Sequence, residues 1–335
     1  MKYIGLDAHS STCTFSVMDK EGMEIDNTAI QTNGRLLINY LEGIEGPKKL
    51  TFEECELSNW LYEILKSEVE ELIVCNPVAN RDYKKAKTDK LDARKLAKLL
   101  RGGFLTGVYH DGSDRERFRS LMSAYDDLVQ EAVRFKNRYK SLFRKVGQKV
   151  KGERLYNDES FLDGLKRTDQ KFIGKHIYGL LEKMEDSREE YVKEIKRSSK
   201  KFKEIKYLMS IPGIGDIRSA MIVAQVIDPY RFRDKYKYYS YCGLVRHRRI
   251  SDGREYTSKK IWGNRALKCV YKMAGKNAIN GSSGLRKYYD YLLSKGISED
   301  NAYNAVCRKI AAISLSVWRH KKSYDDKLIT SNLNK

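Results

Sequence analysis

The sequence predicts an α/β unit at its amino-terminal end followed by mainly helical segments, an α/β plus all-α architecture. Three observations predict it. Over the first 105 residues, short β-type runs alternate with helical patterns. From about Asp114 to Tyr207 the chain turns long, charged and proline-free, with apolar residues three and four apart, as in Leu121, Tyr125, Leu128 and Ala132. The 335 residues also exceed what one hydrophobic core usually spans. The divisions expected are an α/β domain over 1–108, a helical or coiled-coil segment over 109–206, a second, mainly helical domain over 207–325 and a tail over 326–335.

Three strands are expected to open the chain, Lys2 to Ala8, Thr12 to Met18 and Met23 to Gln31, with Asp19-Lys20-Glu21-Gly22 turning the second into the third. A helix near Gly34 to Leu41, a strand Lys49 to Phe52, a helix Asn59 to Lys66, a buried strand Glu71 to Cys75 and a helix from Asp89 to Leu100 follow. That order, βββαβαβα, is the one used by ribonuclease-H-like nucleases and lies close to the repeat unit of actin-like sugar kinases. Element order alone does not separate the two. In the helical middle, a stripe of this length needs a cover, either a helical hairpin or an intersubunit coiled coil, interrupted near Gly147 to Gly164.

Composition narrows the function. With 41% hydrophobic residues the chain folds, and its start, MKYIGLDAHS, lacks the layout of a secretory signal. No stretch approaches the roughly 20 apolar residues of a membrane span, so a cytoplasmic protein without a membrane partner is expected. Six cysteines, none at CxxC spacing, suggest neither a zinc site nor a disulfide framework. The net charge of +20 is unevenly placed: residues 1–110 hold 15 Lys/Arg against 17 Asp/Glu, so the excess lies behind them. Between Arg231 and Lys272 there are 13 Lys/Arg, 3 Asp/Glu and six interleaved tyrosines. This reads as a polyanion-binding surface whose rings either stack on bases or pack beneath the lysine stems.

Four carboxylate positions punctuate the front domain. Asp7 closes the first strand, Glu53 or Glu54 closes a later one, and Asp89 and Asp92 start a helix three residues apart, on one face. Converging across the sheet, they would make an oxygen-rich cage suited to two Mg²⁺ ions that clamp a phosphodiester. Each has a plainer reading: Asp89 as a helix cap, the glutamates as edge-strand charges. Glu53, directly after the apolar run, is the choice, with Glu54 left open.

In the back domain, Ile211-Pro212-Gly213-Ile214-Gly215 precedes an apolar-periodic run and has the form of a helix-hairpin-helix. Gly213 and Gly215 would let backbone N–H groups approach a phosphate, or would serve an ordinary helix connection. Further on, Ser251 lies in a polar loop among Arg246, Arg248, Arg249 and Arg254, with Lys259 and Lys260 beyond. Cations beside a hydroxyl suit phosphate binding and a serine nucleophile, although spacing alone makes Ser251 a turn serine.

Together, YIGLDAHS, TFEEC, KTDKLDARKLAKLL, IPGIGDIRSAMIVAQV, YCGLV and the stretch through GNRALK resemble the DEDD transposases of bacterial and archaeal insertion sequences, the bridge-RNA-guided recombinases. The resemblance spans nearly the whole chain. It implies a RuvC-like amino-terminal domain in which Asp7, Glu53, Asp89 and Asp92 bind Mg²⁺, and a carboxy-terminal transposase domain with Ser251 as nucleophile. It further implies donor and target DNA, a structured noncoding guide RNA, a dimer or tetramer in which one subunit's serine serves another's carboxylates, and association with the nucleoid when DNA is bound. The family follows its serine with glycine, whereas Asp252 intervenes here before Gly253, which leaves Ser258 as the alternative. Competing expectations are a RuvC-type junction-resolving nuclease using water, an actin-like phosphotransferase and a non-enzymatic nucleic-acid scaffold.

Overall fold

A computed structural model describes residues 1–79, 88–246, 248–257 and 263–330. The chain divides into two compact units, Met1–Asp114 and Arg115–Lys335. The first is built on six strands, β1 (Lys2–Ala8), β2 (Thr12–Met18), β3 (Glu24–Gln31), β4 (Lys48–Glu53), β5 (Glu71–Cys75) and β6 (Gly107–Val108), in the order β3-β2-β1-β4-β5-β6. β1, β4 and β5 run parallel, and β2, β3 and β6 pair antiparallel. The expected hairpin closes at Gly22 (φ +92°), whose N–H donates to the Asp19 carbonyl at 3.2 Å. This mixed sheet, followed by a mostly helical remainder, fits the ribonuclease-H-like order expected.

Side-chain alternation assigns the two faces of the sheet. Ile4, Leu6, Phe15, Val17, Leu50, Phe52, Leu72 and Val74 form one face and pack with Leu37 and Leu41 of α1 (Gly34–Glu42) and Leu61 and Leu65 of α2 (Ser58–Leu65). Each large side chain buried here contributes about 1.5–3 kcal/mol. The opposite face is lined with small and polar residues, among them Gly5, Ser16 and Thr51, and carries α3 (Asp89–Gly102).

α3 lies directly on β1. A Cβ on Gly5 would fall on the Ala93 carbonyl oxygen and within 2.5 Å of the Ala97 nitrogen, so only glycine permits this approach. An ion pair from Arg94 of α3 to Glu24 of β3 fixes the helix laterally; Arg94, aided by Asn27 and Ser16, holds the Glu24 carboxyl down at about 2. Gly5→Ala is therefore expected to cost more than the roughly 1–3 kcal/mol typical of overpacking, because backbone must move. Thermal unfolding of the full chain checks this: the variant's first transition should fall by more than about 5 °C.

The second unit begins with α4 (Asp114–Lys145) and α5 (Thr168–Ser199), separated by 3₁₀ turns at Arg154–Tyr156 and Glu159–Gly164. Of the two covers expected for the helical stripe, an intrachain hairpin is present. Tyr139, Leu142 and Phe143 near the end of α4 pack with Tyr178 and Leu181 near the start of α5, and Phe118 and Met122 share a core with Ile195. That core extends into α6 (Glu204–Met209), α7 (Asp216–Val226), α8 (Lys235–Tyr241), α9 (Arg265–Ile279), α10 (Gly284–Ser294) and α11 (Glu299–His320), with the short α12 (Lys327–Thr330) at its edge. A two-stranded hairpin, β7 (Arg248–Ser251) and β8 (Arg254–Thr257), interrupts the helices. Among the described residues no helix is long and apolar enough to cross a membrane.

Candidate active site

The carboxylates of the first unit sit where β1 and β4 end under the start of α3. Asp7 is the penultimate residue of β1 and Glu53 the last of β4. The register pairs Leu6 with Phe52, so one step further Asp7 and Glu53 fall on the same face, the face that α3 covers. Thr88 caps α3, its hydroxyl accepting from the Leu91 N–H at 3.3 Å. Asp89 is thus not the cap, and with Asp92 it occupies the first turn, where the helix dipole favours negative charge.

Asp89 and Asp92 come close enough to Asp7 to act on its charge. Burial is the main cause that raises the Asp7 carboxyl above its ordinary value; His9 opposes the rise, and Asp89 and Asp92 add to it. His9 is a member of the group that the sequence reading passed over. Its Nε2 lies 3.3 Å from an Asp7 oxygen and 3.9 Å from an Asp89 oxygen, and one ligand atom from each of the three residues lies within 4.8 Å of the others. No motif marks it, since β1 ends at Ala8 and His9 stands in the turn that follows. Glu54 is engaged elsewhere, its carboxylate 2.7 Å from Nε2 of the buried His110.

In the second unit, Ser251 ends β7 and pairs with Arg254 across a two-residue turn. Asp252 (φ +51°) and Gly253 (φ +68°) both take the left-handed conformation of a type I′ turn, the geometry for which an Asp-Gly pair is suited. The residue that intervenes between serine and glycine therefore has a backbone role. The polar loop expected here is a strand end at a tight hairpin. Arg248 and Arg249 lie in β7, while Arg246 and Arg254 are exposed. His247, Ser258, Lys259 and Lys260 lie outside the described residues.

The two glycines of the PGIG turn differ. A Cβ on Gly213 (φ +86°) would strike the Ala274 carbonyl oxygen of α9, so this position serves close helix packing; Gly215 is exposed with open space around it. Of the tyrosines, Tyr238 and Tyr271 are core residues, linked by a hydroxyl chain from Tyr238 through Tyr271 to Ser314, the last step 2.7 Å. Tyr236 is 67% exposed and remains available for stacking.

Residues 4–148 match the transposase model of the DEDD type in the IS110 group, and residues 205–290 match the model of the transposase IS116/IS110/IS902 family. The chain belongs to the IS110-type transposases. A relative with a transposase name, y4qE of Sinorhizobium fredii (strain NBRC 101917 / NGR234), is 28% identical over 271 residues, covering 78% of this chain and 67% of its own length.

An IS110-type transposase is an enzyme acting on DNA, and its DEDD domain implies dependence on a divalent metal. The residues present fit that requirement. Asp7 and Asp89 offer hard oxygen donors beside the His9 nitrogen, and the charge repulsion felt at Asp7 is what a bound cation relieves. Glu54 is held by His110, while Glu53 lies on the sheet face that α3 covers. In this transposase, Glu53→Gln is expected to cut strand cleavage by at least about 100-fold, whereas Glu54→Gln, which keeps a hydrogen-bonding partner for His110, should cost less than about tenfold. Single-turnover cleavage of a labelled DNA checks the pair; equal losses would count against Glu53.

Proposed function

We propose that this transposase cleaves and exchanges DNA strands through a phosphoserine intermediate formed by Ser251, under the direction of a noncoding guide RNA. The reading is carried by the convergence of Asp7, Asp89 and Asp92 at the end of β1, with Glu53 on the same face of the sheet. Two Mg²⁺ ions held by these carboxylates would neutralise the phosphodiester and stabilise charge on the attacking and leaving oxygens. Asp7 and Glu53 stand on adjacent strand ends, so their spacing is set by the sheet, and Asp89 and Asp92 close the group from a capped helix.

The Ser251 hydroxyl attacks phosphorus, forming an O–P bond as the bond to one deoxyribose oxygen breaks, and that oxygen leaves with a proton as a free hydroxyl. The reverse reaction with a different strand end completes the exchange, and the bond energy is conserved in the ester. Arginines flanking the serine, Arg246 and Arg254 among them, balance the charge of the transferred phosphate. In this reading, the serine of one copy serves the carboxylates of a second copy within a dimer or tetramer. The arginine-rich stretch and the net charge of +20 suit a protein that holds DNA and RNA by their backbones, with sequence choice left to base pairing.

The experiment is twofold. Denaturing electrophoresis of the wild-type protein with labelled DNA should trap a covalent adduct that protease removes. Sequencing the RNA that co-purifies from the native host should return one discrete species encoded beside the gene; random fragments would count against guidance.

A further inference from the structure

A second concentration of positive charge, which the proposed chemistry does not use, lies at the end of α4. From Arg134 to Lys151 the chain carries eight Lys and Arg and no Asp or Glu. Gly147 (φ +77°) ends the helix, and the N–H groups of Gly147 and Gln148 turn back to the carbonyls of Arg144 and Phe143, each at 3.0 Å. The Gln148 side-chain amide then ties the returning chain to the Gly164 carbonyl at 2.8 Å. This reversal brings Lys149 and Lys151 around to Lys140 and Arg144, which lie one helical turn apart, and the four cations line a cavity of about 420 Å³.

Four like charges around one cavity repel one another, and among the described residues none of them is paired with a carboxylate. Lys136, one turn earlier, shows the contrast: Glu153 takes it at 2.9 Å. The dipole of α4 accounts for Arg144 and Lys145, which stand in its last turn, but not for Lys149 and Lys151, which lie beyond it. The rings in the same run, Phe135, Tyr139 and Phe143, pack into the core of the helical hairpin, so the cradle offers charge without stacking surfaces. We propose that this cradle binds the phosphodiester backbone of a double-helical nucleic acid, as an anchoring site additional to the arginine-rich hairpin of β7 and β8. It touches phosphates only, and so holds a duplex without regard to sequence.

The test uses the full chain and duplexes of arbitrary sequence, one of DNA and one of RNA, titrated across salt concentrations. A combined variant, Lys140→Gln, Arg144→Gln, Lys149→Gln and Lys151→Gln, should flatten the dependence of log affinity on log salt by about 2–4, close to one for each phosphate left without its cation, and weaken binding more than about tenfold at physiological salt. Whichever duplex shows the effect identifies the source. A control combination with the same reduction of charge at exposed sites, Lys183→Gln, Lys276→Gln, Lys295→Gln and Lys322→Gln, should change the slope by less than one. Equal slopes for the two combinations, on both duplexes, would overturn the proposal. Lys140→Arg with Lys149→Arg and Lys151→Arg keeps the charge and should keep the binding; weak binding there would also overturn it. No cleavage enters this measurement, so failure of the phosphoserine reading leaves the result distinguishable.

Discussion

Replacement of Ser251 by alanine is expected to abolish the covalent protein–DNA adduct and to reduce strand exchange to background. Removing a nucleophile that no neighbour replaces costs on the order of 10⁶ in rate in enzymes where it has been measured. Folding should be untouched, since the position is a strand end beside a two-residue turn whose backbone needs are met by Asp252 and Gly253. Thermal unfolding within about 1 °C of wild type would therefore accompany the loss. Ser258→Ala is the matched control and should retain the adduct. An adduct that survives Ser251→Ala and disappears with Ser258→Ala would move the nucleophile seven residues along, and one that survives both would remove the serine from the chemistry.

Asp7→Asn should abolish metal-dependent cleavage and yet, without divalent ions, leave the protein at least as stable as the wild type. Asp7 carries a raised pKa, chiefly through burial, with Asp89 and Asp92 adding to it. The sign follows from linkage: the folded state binds this proton more tightly than the unfolded chain does. The contribution of Asp7 to stability is thus present below the usual carboxylate value and is lost as pH rises through the raised value. At neutral pH its charge opposes folding, and asparagine removes that opposition. Added Mg²⁺ should stabilise the wild type by about 2.7 kcal/mol at a hundred times its dissociation constant and the variant far less. Unfolding curves with chelator and with Mg²⁺, taken at pH 5 and pH 7.5, check both halves. A variant that is less stable than wild type in chelator at pH 7.5 would contradict the electrostatic account.

Much of the first unit could be read in the sequence because its elements obey short-range rules. Lys2–Ala8, Thr12–Met18 and Glu71–Cys75 are apolar, β-rich runs with clear punctuation, and they appear with the bounds expected. β6 has two residues and therefore no periodicity to detect; it forms because β5 offers an open edge. The hairpin of β7 and β8 stands where a polar loop is expected, although Asp252-Gly253 between RRIS and REYT is a hairpin signal. The candidate site was legible where carboxylates end strands or start a helix. His9 was not, because its role comes from the turn of the chain after Ala8 rather than from any motif. Burial separated the tyrosines as no count could: Tyr238 and Tyr271 face inward from amphipathic helices, and Tyr236 does not.

The seat of α3 on the bare backbone of Gly5 has a consequence for ion discrimination. Two main chains in direct contact cannot slide or tilt as side chains do, so the gap between the end of β1 and the first turn of α3 behaves as a fixed gauge. A small cation that demands near-ideal octahedral geometry tolerates such a frame, whereas a larger one with loose coordination asks the ligands to spread. Preference by ionic radius would then be written into a glycine that never touches the ion.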